Sequence, residues 1–336
     1  MKVHVKNNRW RPGSFPNTPE GEAVFTISQE RIDIALAEFP DLAGKVEFFV
    51  DWDTDNFTSS MSDADILLTW DLPTEALGSV APRLRWIHCI GAGVEHLLPM
   101  NWLPEPVTLT NNKGVHVAKA GEFGLMAVLM LHSHIPSVVF NQRNAVYDSL
   151  YSSPIAGKTL VVLGTGSLGG STARKVRQLN VQVIGVNRSG SRVEGCDRVV
   201  TTAQLDDVLP DADYLLIATP DTPLTRGLMS RARLDLMKTT AGIVNIGRES
   251  VMDYDALCDK LDEGTLGGAI LDVFDPEPIA ADSRLWTTRN LIVTPHISAD
   301  DGNSYVPMTL SLFFRNLRLF LSGKSLQNPV NPELGY

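Results

Sequence analysis

Three polar residues in the C-terminal half have the types and places needed to hold an oxyanion and move a proton. Arg248 follows the run Ile243-Val244-Asn245-Ile246-Gly247. Glu277 lies in Leu271-Asp272-Val273-Phe274-Asp275-Pro276-Glu277-Pro278, and His296 in Val293-Thr294-Pro295-His296. Each stands at or just past the carboxyl end of a strand-like run, where open α/β sheets bind ligands. A guanidinium clamps and polarises oxygens, and an imidazole titrates near neutral pH. A neighbouring carboxylate orients that ring and favours its charged form. The set suits reversible reduction of a 2-keto acid, provided a hydride donor lies beside it.

A place for that donor is written upstream. Thr159-Leu160-Val161-Val162-Leu163-Gly164-Thr165-Gly166-Ser167-Leu168-Gly169 reads as strand, GxGxxG turn and helix start. Gly164 permits the tight turn, Gly166 lets the backbone approach a pyrophosphate, and Gly169 allows close helix–strand packing. The helix start at Ser167 and Leu168 adds positive potential for phosphates. In this context the motif predicts dinucleotide binding. At the end of the next strand, a carboxylate would normally accept the ribose 2′-OH. Here the chain has Asn187-Arg188-Ser189. A guanidinium and a hydroxyl favour a 2′-phosphate, so NADP(H) is the expected coenzyme, with NAD(H) as the alternative.

These side chains need elements to carry them. Strand-like runs at 159–164, 181–186, 214–218, 242–246, 268–272 and 291–294 alternate with helical patterns, which predicts an α/β, doubly wound (Rossmann) domain. Leu168, Thr172, Val176 and Leu179 share one helical face, and Asp253 is placed to cap a helix ending at Gly264. Runs at 2–6, 45–50, 65–69, 85–90 and 107–110 predict a smaller α/β domain with a helix opened at Thr26-Ile27-Ser28-Gln29. The apolar face of 309–321 (Leu310, Phe313, Phe314, Leu317, Leu321) is expected to return to that first domain. The predicted division is therefore 1–108 with 304–336 for substrate binding, and 109–303 for the dinucleotide. The apolar helix 121–134 is either a subunit interface or buried within one subunit.

Composition narrows the classes. The chain has 336 residues and a net charge of 29 − 39 = −10, which disfavours a nucleic-acid partner. Cys89, Cys196 and Cys258 are widely spaced, unlike a disulfide framework or zinc module. His88, His96, His116, His132 and His134 show no ligand spacing, so no metal is expected. The longest unbroken apolar run, 125–131, is far below the ~20 residues of a membrane span. The N-terminus lacks a signal-like apolar core, giving a cytoplasmic expectation.

The ordered motifs resemble the D-isomer-specific 2-hydroxyacid dehydrogenase family across nearly the whole chain. They run from Gly164–Gly169 through Thr219-Pro220…Thr225-Arg226-Gly227-Leu228-Met229 and Asn245-Ile246-Gly247-Arg248 to Asp272-Val273-Phe274…Glu277-Pro278 and Thr294-Pro295-His296. The resemblance implies that Arg248, Glu277 and His296 form the catalytic set, Arg248 and His296 also facing the cofactor. It implies that Asp272 contacts the nicotinamide carboxamide, and that Thr219, Pro220 and Ile246 line the cofactor. Gly91-Ala92-Gly93-Val94 resembles the family's carboxylate-binding loop, and Trp70 is a candidate wall beside it. The smaller domain would be discontinuous and flavodoxin-like, and the protein a homodimer. The Arg and Ser beside Asn187 resemble the NADPH-using glyoxylate/hydroxypyruvate reductase branch.

One departure stands out. The family's usual Gly after the catalytic Arg is Glu249 here. Either this position needs a positive φ and Glu249 is strained, or Glu249 adds a carboxylate near the site. A rival from another class is a dinucleotide-sensing, corepressor-like binding protein on the same scaffold.

Overall fold

The computed structural model describes all residues except 17, 76, 116, 334 and 336; His116 thus lies outside the described residues. Contacts divide the chain into two units, residues 1–115 with 301–336 and residues 116–300.

The first unit is built on five parallel strands: β1 (Lys2–Asn7), β2 (Glu47–Trp52), β3 (Ile66–Thr69), β4 (Trp86–Cys89) and β5 (Thr108–Thr110). Their order is β2-β1-β3-β4-β5, the flavodoxin-like arrangement. Alternation along the central strands feeds two cores. Ile66, Leu68 and Trp86 face one, while Leu67, Ile87 and Cys89 face the other. The helix Tyr305–Leu321 supplies Leu310, Phe313, Phe314 and Leu317 to the first core, all fully buried. Each such side chain stabilises the fold by about 1.5–3 kcal/mol through burial alone. Phe313 also stacks on Trp86, with ring centroids 4.8 Å apart.

The division expected at 108/109 needs correction. That cut would split β5, whose Thr108, Leu109 and Thr110 pair with Trp86, Ile87 and His88 of β4. Asn112 continues the attachment, its Nδ2 donating to Ile90 O (2.5 Å) and Thr309 Oγ1 (2.6 Å). The far boundary falls at 300/301 rather than 303/304. The helix start at 26–29 also differs in detail. Thr26 ends an earlier helix, Pro19–Phe25, and Ser28 is the true N-cap of Gln29–Leu36, accepting from Arg31 N.

The second unit carries seven parallel strands: β6 (Thr159–Leu163), β7 (Gln182–Asn187), β8 (Arg198–Thr201), β9 (Tyr214–Ile217), β10 (Gly242–Asn245), β11 (Gly268–Leu271) and β12 (Leu291–Val293). Their order, β12-β11-β10-β9-β6-β7-β8, reverses direction at β6, the doubly wound pattern. Val161 and Leu163 of β6 face one core, Leu160 and Val162 the other. Strands β9, β10 and β11 are buried at every residue, so their unbroken apolar runs reflect helices on both faces. Edge strand β8 escapes sequence reading because it opens on a charge and is only half-buried.

The helix Val117–His132 buries Ala120, Gly121, Phe123, Gly124, Ala127, Val128 and Leu131 within this unit. One of its faces is thus core, while Met126 stays 44% exposed. No single helix among the described residues is long and apolar enough to cross a membrane.

Candidate active site

The turn after β6 takes the conformation its glycines were expected to allow. Gly164 has φ +95°. A Cβ on Gly169 would collide with Gly164 O, which ties the helix Ser167–Arg177 closely to the strand. Gly166 caps that helix without any side-chain hydrogen bond, and a Cβ there would meet nothing within 4 Å. Gly166 is thus exposed at the positive end of the helix, where the first-turn N–H groups have no intrahelical partner. Nearby, just past β9, Thr219 Oγ1 is buried without a partner. An open anion cradle next to an orphaned hydroxyl fits a dinucleotide diphosphate.

The loop after β7 is organised by Asn187. Its Nδ2 donates to Thr165 Oγ1 (2.9 Å) and Ser191 O (3.1 Å), and its Oδ1 accepts from Gly190 N (2.7 Å) and Ser189 N (3.2 Å). This side chain shapes the loop, while Arg188 and Ser189 are exposed on it. Pro220 is exposed at the rim. Ile246, expected to line the cofactor, is 3% exposed and packs into the core with Val162 and Val244. As a side chain it belongs to the interior, because the strand alternation turns it inward.

The His296–Glu277 pair forms on the adjoining strand ends. His296 sits in a left-handed conformation (φ 55°), and its Nδ1 lies 2.9 Å from Glu277 Oε2 and 3.1 Å from Oε1. Glu277 is steadied from its own loop, where Phe274 N donates to Oε1 at 2.9 Å. Burial alone would depress the His296 pKa. The hydrogen bond and charge of Glu277 overturn that and hold it above its ordinary value. Burial pushes Glu277 up, yet the imidazole, the Phe274 N–H and Arg248 bring it below the usual carboxylate range. Arg248 thus acts electrostatically on both partners of the pair.

Asp272, for which the resemblance implies a carboxamide contact, sits in a hydrogen-bond network around His296. It is fully buried, and its oxygens accept from Thr294 Oγ1 (2.6 Å), Ile297 N (2.9 Å) and Ser298 N (2.9 Å). Those bonds fix the backbone on both sides of His296. Glu249 is settled as well. It opens a short 3-10 turn, Glu249–Val251, and is not among the positive-φ residues, so no backbone strain arises. Burial first, then Asp275, Asp221 and Asp255, raise its carboxyl pKa. Glu249 adds an acidic group beside the loop carrying Asp275.

Sequence reading passed over three residues here. Asp300, four residues past His296, is pushed up to about 6 by burial and by the charges of Asp272 and Glu277. Asn245 and Tyr254 form a buried hydrogen-bonded pair behind Arg248. Asn245 looks like one more strand residue, and the Tyr254 hydroxyl has no sequence partner to announce it.

In the first unit, Trp70 and the loop after β4 come together. Trp70 stacks between Phe15 (4.3 Å) and His96 (4.1 Å), and a Cβ on Gly91 would collide with its ring. Asn111 Nδ2 donates to Ala92 O (2.8 Å) and Asn112 N to Gly91 O (2.9 Å). Ala92 and Gly93 are accessible, whereas Val94 is 1% exposed and belongs to the core. Among the described residues, no cluster of three or more His, Cys, Asp or Glu is arranged to hold a metal ion.

Comparison with known proteins decides the lineage. Residues 125–298 match the sequence model of the D-isomer specific 2-hydroxyacid dehydrogenase, NAD binding domain. The chain belongs to this family. As a 2-hydroxyacid dehydrogenase it is an NAD(P)-dependent oxidoreductase that transfers hydride. A glyoxylate reductase of Thermococcus kodakarensis is 33% identical over 285 residues, covering 81% of this chain and 84% of that protein. The NADPH-dependent glyoxylate/hydroxypyruvate reductase of Sinorhizobium meliloti, solved with NADP and sulfate, is 27% identical. It superposes with a TM-score of 0.80 over 100% of both chains. A family member from Xanthobacter autotrophicus, solved with NADPH and MES, is 25% identical. Its TM-score is 0.82 over 99% of both chains. This dehydrogenase carries both the glycine cradle and the His296–Glu277 pair in its second unit.

Proposed function

We propose that this dehydrogenase is an NADPH-preferring reductase of small 2-keto acids, glyoxylate or hydroxypyruvate in class, forming the D-2-hydroxy acid. The observation that carries the reading is the His296–Glu277 pair, held at 2.9 Å on a backbone braced by Asp272. When bound, the reduced coenzyme supplies the hydride that reaches C2 of the keto acid. His296 gives its Nε2 proton to the carbonyl oxygen, completing the alcohol, and takes it back in the reverse direction. Glu277 stabilises the imidazolium before transfer and fixes the ring so that Nε2 points away from the pair. Arg248 polarises the carbonyl and pairs with the carboxylate.

Coenzyme choice rests on the loop after β7. Asn187 holds it in shape, and Arg188 and Ser189 present a cation and a hydroxyl where an acid would repel a 2′-phosphate. The NADP-bound relatives described above support this choice. Steady-state rates with NADPH and NADH, across glyoxylate, hydroxypyruvate, pyruvate and branched or aromatic 2-keto acids, test the reading. Preference for NADPH with the two smallest substrates is expected. Preference for NADH, or silence across the panel, rejects it.

A further inference from the structure

The Arg248 turn and the Glu277 loop leave different strands, β10 and β11, and a buried hydroxyl joins them. Asn245, the last residue of β10, donates from Nδ2 to Arg248 O (3.0 Å) and accepts at Oδ1 from Gly247 N (3.0 Å). The same Nδ2 donates to the Tyr254 hydroxyl (3.1 Å). Tyr254 in turn donates to Val273 O at 2.8 Å. Val273 precedes Phe274, whose N–H holds Glu277 at 2.9 Å, and Glu277 holds His296. A continuous line of hydrogen bonds therefore runs from the backbone of Arg248 to the imidazole.

We propose that Tyr254 is a positioning residue, its hydroxyl setting the spacing between Arg248 and the His296–Glu277 pair. This rests on the proton-transfer reading given above. A hydroxyl has one proton, and here it is directed to Val273 O because Asn245 occupies the lone-pair side as a donor. Burial first raises the Tyr254 pKa well above its ordinary value, so the group stays a donor throughout the working pH range. The ring is 8% exposed and packs edge-on against Phe274 (6.1 Å, 74°). That contact ties the aromatic body to the same loop that the hydroxyl grips. Losing only the oxygen leaves Val273 O and one Asn245 proton unsatisfied in the interior. The two loops can then shift by the fraction of an ångström that misaligns a carbonyl between a clamp and an acid.

The test compares Y254F and Y254L with the wild-type enzyme, using NADPH and glyoxylate, and carries H296A alongside. Readouts are kcat, KM for glyoxylate, the alkaline limb of the kcat profile, NADPH affinity by fluorescence, and Tm. Y254F should fold, bind NADPH within about twofold of wild type and lose about tenfold or more in kcat/KM. Its alkaline limb should move to lower pH as Glu277 loosens. Y254L should share that kinetic defect while melting far lower, because it also loses the ring. Wild-type kinetics and an unmoved limb in Y254F overturn the proposal, as does a Y254F chain that fails to fold, which would make the hydroxyl a folding determinant. An inert H296A beside an unaffected Y254F rejects the positioning role alone. A normally active H296A rejects the proton-transfer reading and this proposal with it.

Discussion

The Nδ1 atom of His296 lies 2.9 Å from Oε2 of Glu277, and this contact outweighs the depression that burial imposes on the imidazole. The sign follows directly. A raised pKa keeps the proton on His296 to higher pH, so keto-acid reduction, which consumes that proton, persists further into the alkaline range. Replacing Glu277 with Gln keeps the size and removes the charge, leaving burial to dominate. The alkaline limb of reduction should move to lower pH in E277Q. An unchanged profile, measured from pH 5 to 10, would separate Glu277 from the acid–base step.

Arg188 provides a test of coenzyme choice that leaves the chemistry alone. Charge-assisted hydrogen bonds contribute about 1.5–3 kcal/mol, so R188A should raise KM for NADPH by roughly tenfold or more. KM for NADH should change little, since it carries no 2′-phosphate. Equal losses with both coenzymes would show that Arg188 does not recognise that phosphate.

Asp300 should weaken the fold at neutral pH. Its carboxyl is pushed up to about 6, first by burial and then by Asp272 and Glu277, against a partial offset from His296. A carboxyl raised in the folded state binds more protons there than in the unfolded chain. Its cost therefore grows as pH climbs from about 4 to about 6 and then levels off. D300N should raise stability at pH 7.5 by about 1–3 kcal/mol, an advantage that shrinks towards pH 4. Urea unfolding of both proteins at the two pH values measures it. A constant difference would mean Asp300 is not the titrating group.

The helix Tyr305–Leu321 makes the smaller unit depend on the end of the chain. Phe313 is fully buried and stacked on Trp86. F313A should cost about 3–5 kcal/mol by removing apolar area and leaving a cavity. Loss below 1 kcal/mol in denaturant titration would place this helix outside the core of that unit.

Much of this was legible from residue order because the relevant signals are local. Gly164, Gly166 and Gly169 are fixed by one turn, and Arg248, Glu277 and His296 by strand ends that apolar runs disclose. Parallel strands buried on both faces left little ambiguity in β9 to β11. What escaped depends on tertiary neighbours. Strand β8 is defined by its partner β7 rather than by its own composition. Asp272 is an acidic residue type, yet it is an interior brace because three donors converge on it, and nothing in its flanking residues signals this. Ile246 follows β10 with its side chain turned into the core, which the sequence run does not disclose. Glu249 could be read two ways until the backbone showed no positive φ after Arg248.

Proton transfer by His296 is the step on which the account turns, and single-turnover oxidation of bound NADPH by glyoxylate in H296A tests it most directly. Removing a positioned general acid should slow that turnover by about 10²–10⁴-fold, with NADPH affinity close to wild type. A turnover rate within a few fold of wild type would contradict the assignment of His296 as the proton donor.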